Sequence, residues 1–189
     1  METLNTKTVA AITVFTALTI VLNFSPFKIP APYAPFLIYQ IWEIPIVTAF
    51  LLFGAVVGIL IASLNTVVLI AVYPGALPTG PLYNLAAVLS MLLGMGIVKV
   101  LTTKRPMKSD IALATMYTAS GVFFRTVTMA LVNWIFLRFP PPIGYSMPEE
   151  ALVATIPLVT IFNITIALYT IPLGYALAKA VKSYAKTLT

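Results

Sequence analysis

The sequence contains no cysteine and no histidine. Those absences exclude disulfides, thiolate chemistry, histidine-ligated haem and the usual zinc sites. Charge is scarce as well. Only 8% of the 189 residues are charged, against about 25% in an ordinary soluble domain. A water-soluble chain of this size could not cover its surface with so few charges, and 60% of the residues are hydrophobic. Lipid is the solvent this composition calls for. Length implies a single domain, residues 1–189, because dividing it would leave two very small bundles. No phosphate-binding loop of the Gly-x-x-x-x-Gly-Lys-Ser/Thr type occurs, so any ATP-driven work needs separate subunits.

What is present is a series of long apolar runs. A spanning helix needs roughly 20 mainly apolar residues. The first run is Thr8 to Phe24, closed by the proline-rich stretch Pro26 to Pro35. The region Glu43 to Val72 is too long for one crossing and reads as two short helices with a tight turn near Gly58. Three more runs follow: Leu82 to Val100, Ile111 to Leu137 and Ala151 to Val181. The first run lacks a small-residue cleavage site and follows acidic Glu2, which reads as a retained helix rather than a signal peptide.

The net charge of +6 does not point to nucleic acid, because most basic residues flank the apolar runs. Lys7 precedes the first span. Lys99, Lys104, Arg105 and Lys108 separate the fourth from the fifth, and Lys179, Lys182 and Lys186 close the chain. Six crossings put all three groups on one side, which the positive-inside rule makes cytoplasmic; five would split the termini. The expected fold is therefore an all-α, multi-pass cell-membrane protein: a compact bundle of six transmembrane helices with both termini cytoplasmic. The outer loops are Pro26–Trp42, Tyr73–Gly80 and Arg138–Glu150. The first, with four prolines among Phe27, Tyr33, Phe36 and Tyr39, reads either as a stiff lid over an outward cavity or as an interfacial aromatic belt.

A charge at mid-membrane costs at least ~2.5–3.5 kcal/mol, so each asks for a partner or a purpose. Arg125 lies midway along the fifth span. It could hold an anionic group, snorkel, or pair with helix-end carbonyls. Glu43 stands at a helix start near the outer interface, as a cap or as a ligand. Asn65, Asn84, Asn133 and Asn163 are cavity candidates, since an amide both donates and accepts and can read a neutral heterocycle. Interhelical hydrogen bonding is the plainer role for each. Trp42 and Trp134 could stack on a flat ring or sit in the aromatic belt.

The segments resemble the S-components of energy-coupling factor (ECF) transporters, most closely the riboflavin-specific branch. Four stretches carry the resemblance in order: FSPFKIPAPYAPFLIYQIWEIPIVTAFLLFGAVVGIL from Phe24 to Leu60, GPLYNLAAV from Gly80 to Val88, VNWIFLRFPPPIGY in the fifth helix and IPLVTIFNITIA in the sixth. Asn133 and Asn163 fall at family asparagines. The chain also departs from the pattern. Gln40 and Glu43 replace two aspartates, Leu64 stands where a lysine often precedes the asparagine matched by Asn65, and Ile166 replaces another lysine.

The resemblance implies a substrate-capture subunit that binds riboflavin from outside, with riboflavin as cargo and no cofactor. Its partners would be a coupling transmembrane subunit and two ATPase subunits. Asn133, Asn163, Asn84, Asn65, Tyr39, Gln40 and Trp134 would form the substrate site. In the first helix, Ala10, Thr13 and Ala17 match the family's Ala-x-x-x-Ala docking surface, with threonine for one alanine; internal packing is the alternative. Another vitamin or a small anionic molecule is the rival cargo. An intramembrane enzyme would want more ionisable groups than Arg125 and Glu43, and a self-sufficient carrier would want something to couple to an ion gradient.

Overall fold

The computed structural model describes residues 5–72, 77–104, 107 and 109–187. Residues 73–76 of the second outer loop lie outside the described residues, as do Arg105 and Lys108. Among the described residues there are six helices and one short hairpin: α1 (Thr6–Phe24), β1 (Ile29–Ala31), β2 (Ala34–Tyr39), α2 (Glu43–Phe53), α3 (Ala55–Val72), α4 (Gly80–Lys104), α5 (Asp110–Phe136) and α6 (Glu149–Thr187). Five of the helices are long and apolar enough to cross a membrane; α2 is shorter.

Local chemistry sets the boundaries. Asn5 caps α1, its Oδ1 accepting the Thr8 N–H at 2.8 Å, and the helix stops before Pro26. Ser109 caps α5 in the same way. The break between α2 and α3 falls at Gly54, four residues before the expected turn at Gly58. Gly54 has φ 104°, a backbone conformation that side chains resist, whereas Gly58 lies inside α3. The proline-rich first loop, expected as a stiff lid or an aromatic belt, pairs into an antiparallel hairpin, Ile29 opposite Tyr39 and Pro30 opposite Ile38.

At 1.5 Å per residue, the 11 residues of α2 reach about 16 Å, half the ~30 Å of hydrocarbon. This helix is buried on nearly every side, from Glu43 through Leu51, and packs against α1, α3, α4 and α6. A helix apolar all round belongs inside a bundle, and α2 is the core. Phe50, Ile46 and Val47 from α2 meet Ile61, Met91, Met95 and Ile171 there. The remaining helices follow one another around it, α1 on α3, α3 on α4, α4 on α5, α5 on α6.

Lys179 of α6 bonds Asp110 at the start of α5 at 2.6 Å, and Lys99 and Lys182 reach the last turn of α2. Phe15 of α1 meets Phe53 at that same end, ring centroids 6.0 Å apart. These lysines, the start of α1 and the end of α6 therefore share one end of the bundle, the end that the positive-inside rule assigns to the cytoplasm.

The most extensive helix contact is α4 on α5. Ser120 Oγ donates to Gly94 O at 2.8 Å, and a Cβ on Gly94 would lie 2.5 Å from Ser120 O. Backbone cannot yield there as a side chain would. We expect Gly94→Leu to lower stability by several kcal/mol through overpacking, seen as a fall in the thermal unfolding midpoint in detergent. Gly96→Leu, whose Cβ meets nothing nearer than Phe50 Cζ at 4.0 Å, should stay within about 0.5 kcal/mol of the parent.

Candidate functional site

In α5, Arg125, Met129 and Asn133 recur every fourth residue and so share one helix face. In α6, Val159 and Asn163 do the same. These two faces converge with the start of α2 on a cavity of about 150 Å³, walled also by Leu37, Ile38, Gln40, Trp42, Tyr83, Asn84 and Phe162. Its floor is an ion pair. The Arg125 guanidinium forks onto the Glu43 carboxylate, Nη2 donating to Oε1 at 2.9 Å and Nη1 to Oε2. Arg125 Nε donates to Asn163 Oδ1 at 2.9 Å. Both charged side chains are almost wholly buried, 3% and 4% exposed.

Glu43 is thus not an interfacial cap. It does begin α2, but its partner Arg125 stands about 22 Å along α5 from the cytoplasmic end. Arg125 in turn pairs with a carboxylate and an amide rather than snorkelling or meeting helix-end carbonyls. The inner cavity is left without formal net charge, since Glu43 and Arg125 are the charged side chains in its wall.

The amides differ in what they have left to offer. Asn163 is committed on both sides, Oδ1 to Arg125 and Nδ2 to Val159 O at 2.9 Å. Asn133 Nδ2 donates to Met129 O at 2.7 Å, and its Oδ1 accepts no hydrogen bond from the described residues. Gln40 has a buried Oε1 with no donor, while Tyr169 holds its backbone carbonyl at 2.5 Å. Asn84 is open at the mouth, where Ile38, Gln40 and Asn84 are shared with a second cavity of about 260 Å³ toward Asn23, Lys28 and Tyr145. Side by side the two reach the lower end of the ~300–1,000 Å³ usual for ligand pockets.

Three expected site residues stand behind the walls rather than in them. Asn65 accepts from Asn23 Nδ2 at 2.9 Å, a bond between α3 and α1. Tyr39 packs on Phe162, centroids 4.9 Å apart, and shares a 2.6 Å hydroxyl contact with Tyr33. That contact and partial desolvation, the larger cause, push the Tyr33 hydroxyl up to about 12. Trp134 lies under the Arg138 guanidinium at 4.5 Å, and the indole in the cavity wall is Trp42. Asn23, Met129 and Phe162 were not anticipated. The spacing of Met129 between Arg125 and Asn133 was the available signal; Phe162 and Asn23 carried none. Ala10, Thr13 and Ala17 are exposed on α1, so they do not serve internal packing.

No family model and no curated protein matches the sequence. Among solved structures the chain is similar to the S component of a bacterial ECF transporter, with 22% identity and a TM-score of 0.76 over 95% of this chain and 98% of that one. This protein therefore has the fold of an ECF-transporter S component.

Proposed function

We propose that the chain is the substrate-capture subunit of an ECF-type vitamin importer and that its cargo is riboflavin. The observation that carries this reading is the buried, donorless Gln40 Oε1 in the wall of an outward cavity. A buried acceptor without a donor costs about 1–3 kcal/mol, and a ligand N–H or O–H would recover it. Asn133 Oδ1 and Asn84 offer further neutral groups, and Trp42 and Phe162 offer flat apolar walls. A neutral heterocycle carrying hydroxyls suits such a lining. An anionic cargo suits it less, because the Arg125 charge is already answered by Glu43.

The β1–β2 hairpin roofs the cavity through Leu37 and Ile38, with Gln40 just beyond the end of β2. Entry from outside then requires the hairpin to lift. Handover to the cytoplasm falls to a coupling subunit, with energy from two ATPase subunits; the exposed Ala10, Thr13 and Ala17 stripe permits the close helix approach such docking needs.

Protein purified in detergent from cells grown in ordinary medium should be yellow, release flavin on denaturation and quench riboflavin fluorescence on titration. A colourless preparation that leaves flavin fluorescence unchanged would overturn riboflavin as cargo. Gln40→Ala and Asn133→Ala should each weaken binding by about 1–3 kcal/mol, about 5- to 150-fold in the same titration. Glu43→Gln should cost ~3–5 kcal/mol of stability by leaving the buried Arg125 charge unpaired. The Glu43→Gln/Arg125→Met double variant should regain much of that loss in thermal unfolding.

A further inference from the structure

At the end of the bundle opposite the Gln40 cavity, α2 finishes with two carbonyls of its last turn facing lysines, and a third lysine stands nearby. Lys99 Nζ lies 3.4 Å from Phe50 O and 5.4 Å from the Phe50 ring centroid. Lys182 Nζ lies 3.5 Å from Leu51 O. Both distances are long for a charged donor, which normally closes to ~2.7–2.9 Å on an anion. Lys179 alone has a carboxylate, Asp110. A cavity of about 440 Å³ opens among these side chains, edged by Thr102 and Tyr175. Three ammonium groups face one carboxylate there, an excess of two positive charges among the described residues.

Lys99 and Thr103 also belong to a second feature. They end an apolar groove of about 1140 Å³ that follows α4 toward the outer side, between Ala55 and Ile59 of α3 and Thr128 of α5. From Thr103 to Ala86 it extends about 25 Å, more than one leaflet of a ~30 Å hydrocarbon core. A charged pocket at the cytoplasmic membrane surface that continues into a long apolar groove has the two-part character of a phospholipid. A soluble anion would leave the groove unused, and a neutral lipid would leave the lysines unanswered. Basic pockets between membrane helices on the cytoplasmic side take anionic headgroups.

We infer that Lys99 and Lys182 hold the phosphate of one anionic phospholipid of the cytoplasmic leaflet, with an acyl chain lying along α4. The site lies at the end of the molecule away from the cargo cavity and uses none of its residues.

The test is thermal unfolding and native mass spectrometry of the full-length protein in detergent, supplemented with phosphatidylglycerol, phosphatidylcholine or inorganic phosphate. Phosphatidylglycerol should raise the unfolding midpoint and remain bound in the gas phase, with the other two doing neither. In Lys99→Gln/Lys182→Gln the affinity for phosphatidylglycerol should fall about 30-fold, each lysine near the surface contributing about fivefold. Gly96→Leu keeps both lysines and projects into the groove, so it should remove the preference without loss of a charge; monodisperse elution of each variant reports that it is folded. Equal stabilisation by phosphatidylcholine overturns the inference. So does equal stabilisation by inorganic phosphate, which would make the pocket a site for a soluble anion. Undiminished phosphatidylglycerol binding in both folded variants overturns it as well.

Discussion

The Glu43–Arg125 pair is the constraint on which the bundle depends. Two opposite charges sit nearly water-free among apolar helices, and leaving either one unpaired there would cost several kcal/mol. Their fork fixes more than one element. It holds the first residue of α2 at the middle of α5, and through Nε it sets the Asn163 amide of α6. Three helices are registered by one guanidinium.

Depth follows from that register. Because Glu43 starts α2 far inside the bundle, α2 spans only the cytoplasmic half, and the space above it falls to the β1–β2 hairpin. Irregular backbone is tolerated at such depth when it faces protein or a water-filled cavity. Tyr169 satisfies the Gln40 carbonyl, and Tyr33 and Tyr39 join hydroxyls across the hairpin. The same geometry that shortens α2 makes room for a cavity, and the ion pair that forms its floor leaves that cavity uncharged. At the other end, the short helix stops with the Phe50 and Leu51 carbonyls beside Lys99 and Lys182, so one truncation shapes both ends of the molecule.

Five of the six helices were legible from apolar run length, and their observed limits differ from the expected ones by a few residues, α6 extending furthest. The gathering of the start of α1 and the end of α6 with Lys99, Lys179 and Lys182 was legible too, because charge is excluded from the bilayer core and its distribution along the chain is a linear property. The position of the α2–α3 break was read as Gly58 rather than Gly54. Both are glycines in apolar surroundings, and only the backbone angle tells a turn from a helix-packing site. The hairpin was missed because prolines mark irregular chain, while pairing across a two-residue turn depends on register.

For the site, composition and spacing determined the inventory: a scarcity of charge, a few amides, and an arginine and a glutamate that each needed an answer. They did not determine who answers whom. Glu43 and Arg125 are far apart in sequence, so their pairing is a fact of tertiary packing alone, as are the Asn23–Asn65 bond and the choice of Trp42 over Trp134 as a wall. The sequence by itself determined that this chain belongs in lipid and at which end of the bundle its lysines gather, because both follow from solvation residue by residue. Only the tertiary structure decided which polar groups are consumed within the protein and which are left over, because a hydrogen bond between helices is set by distance and not by sequence.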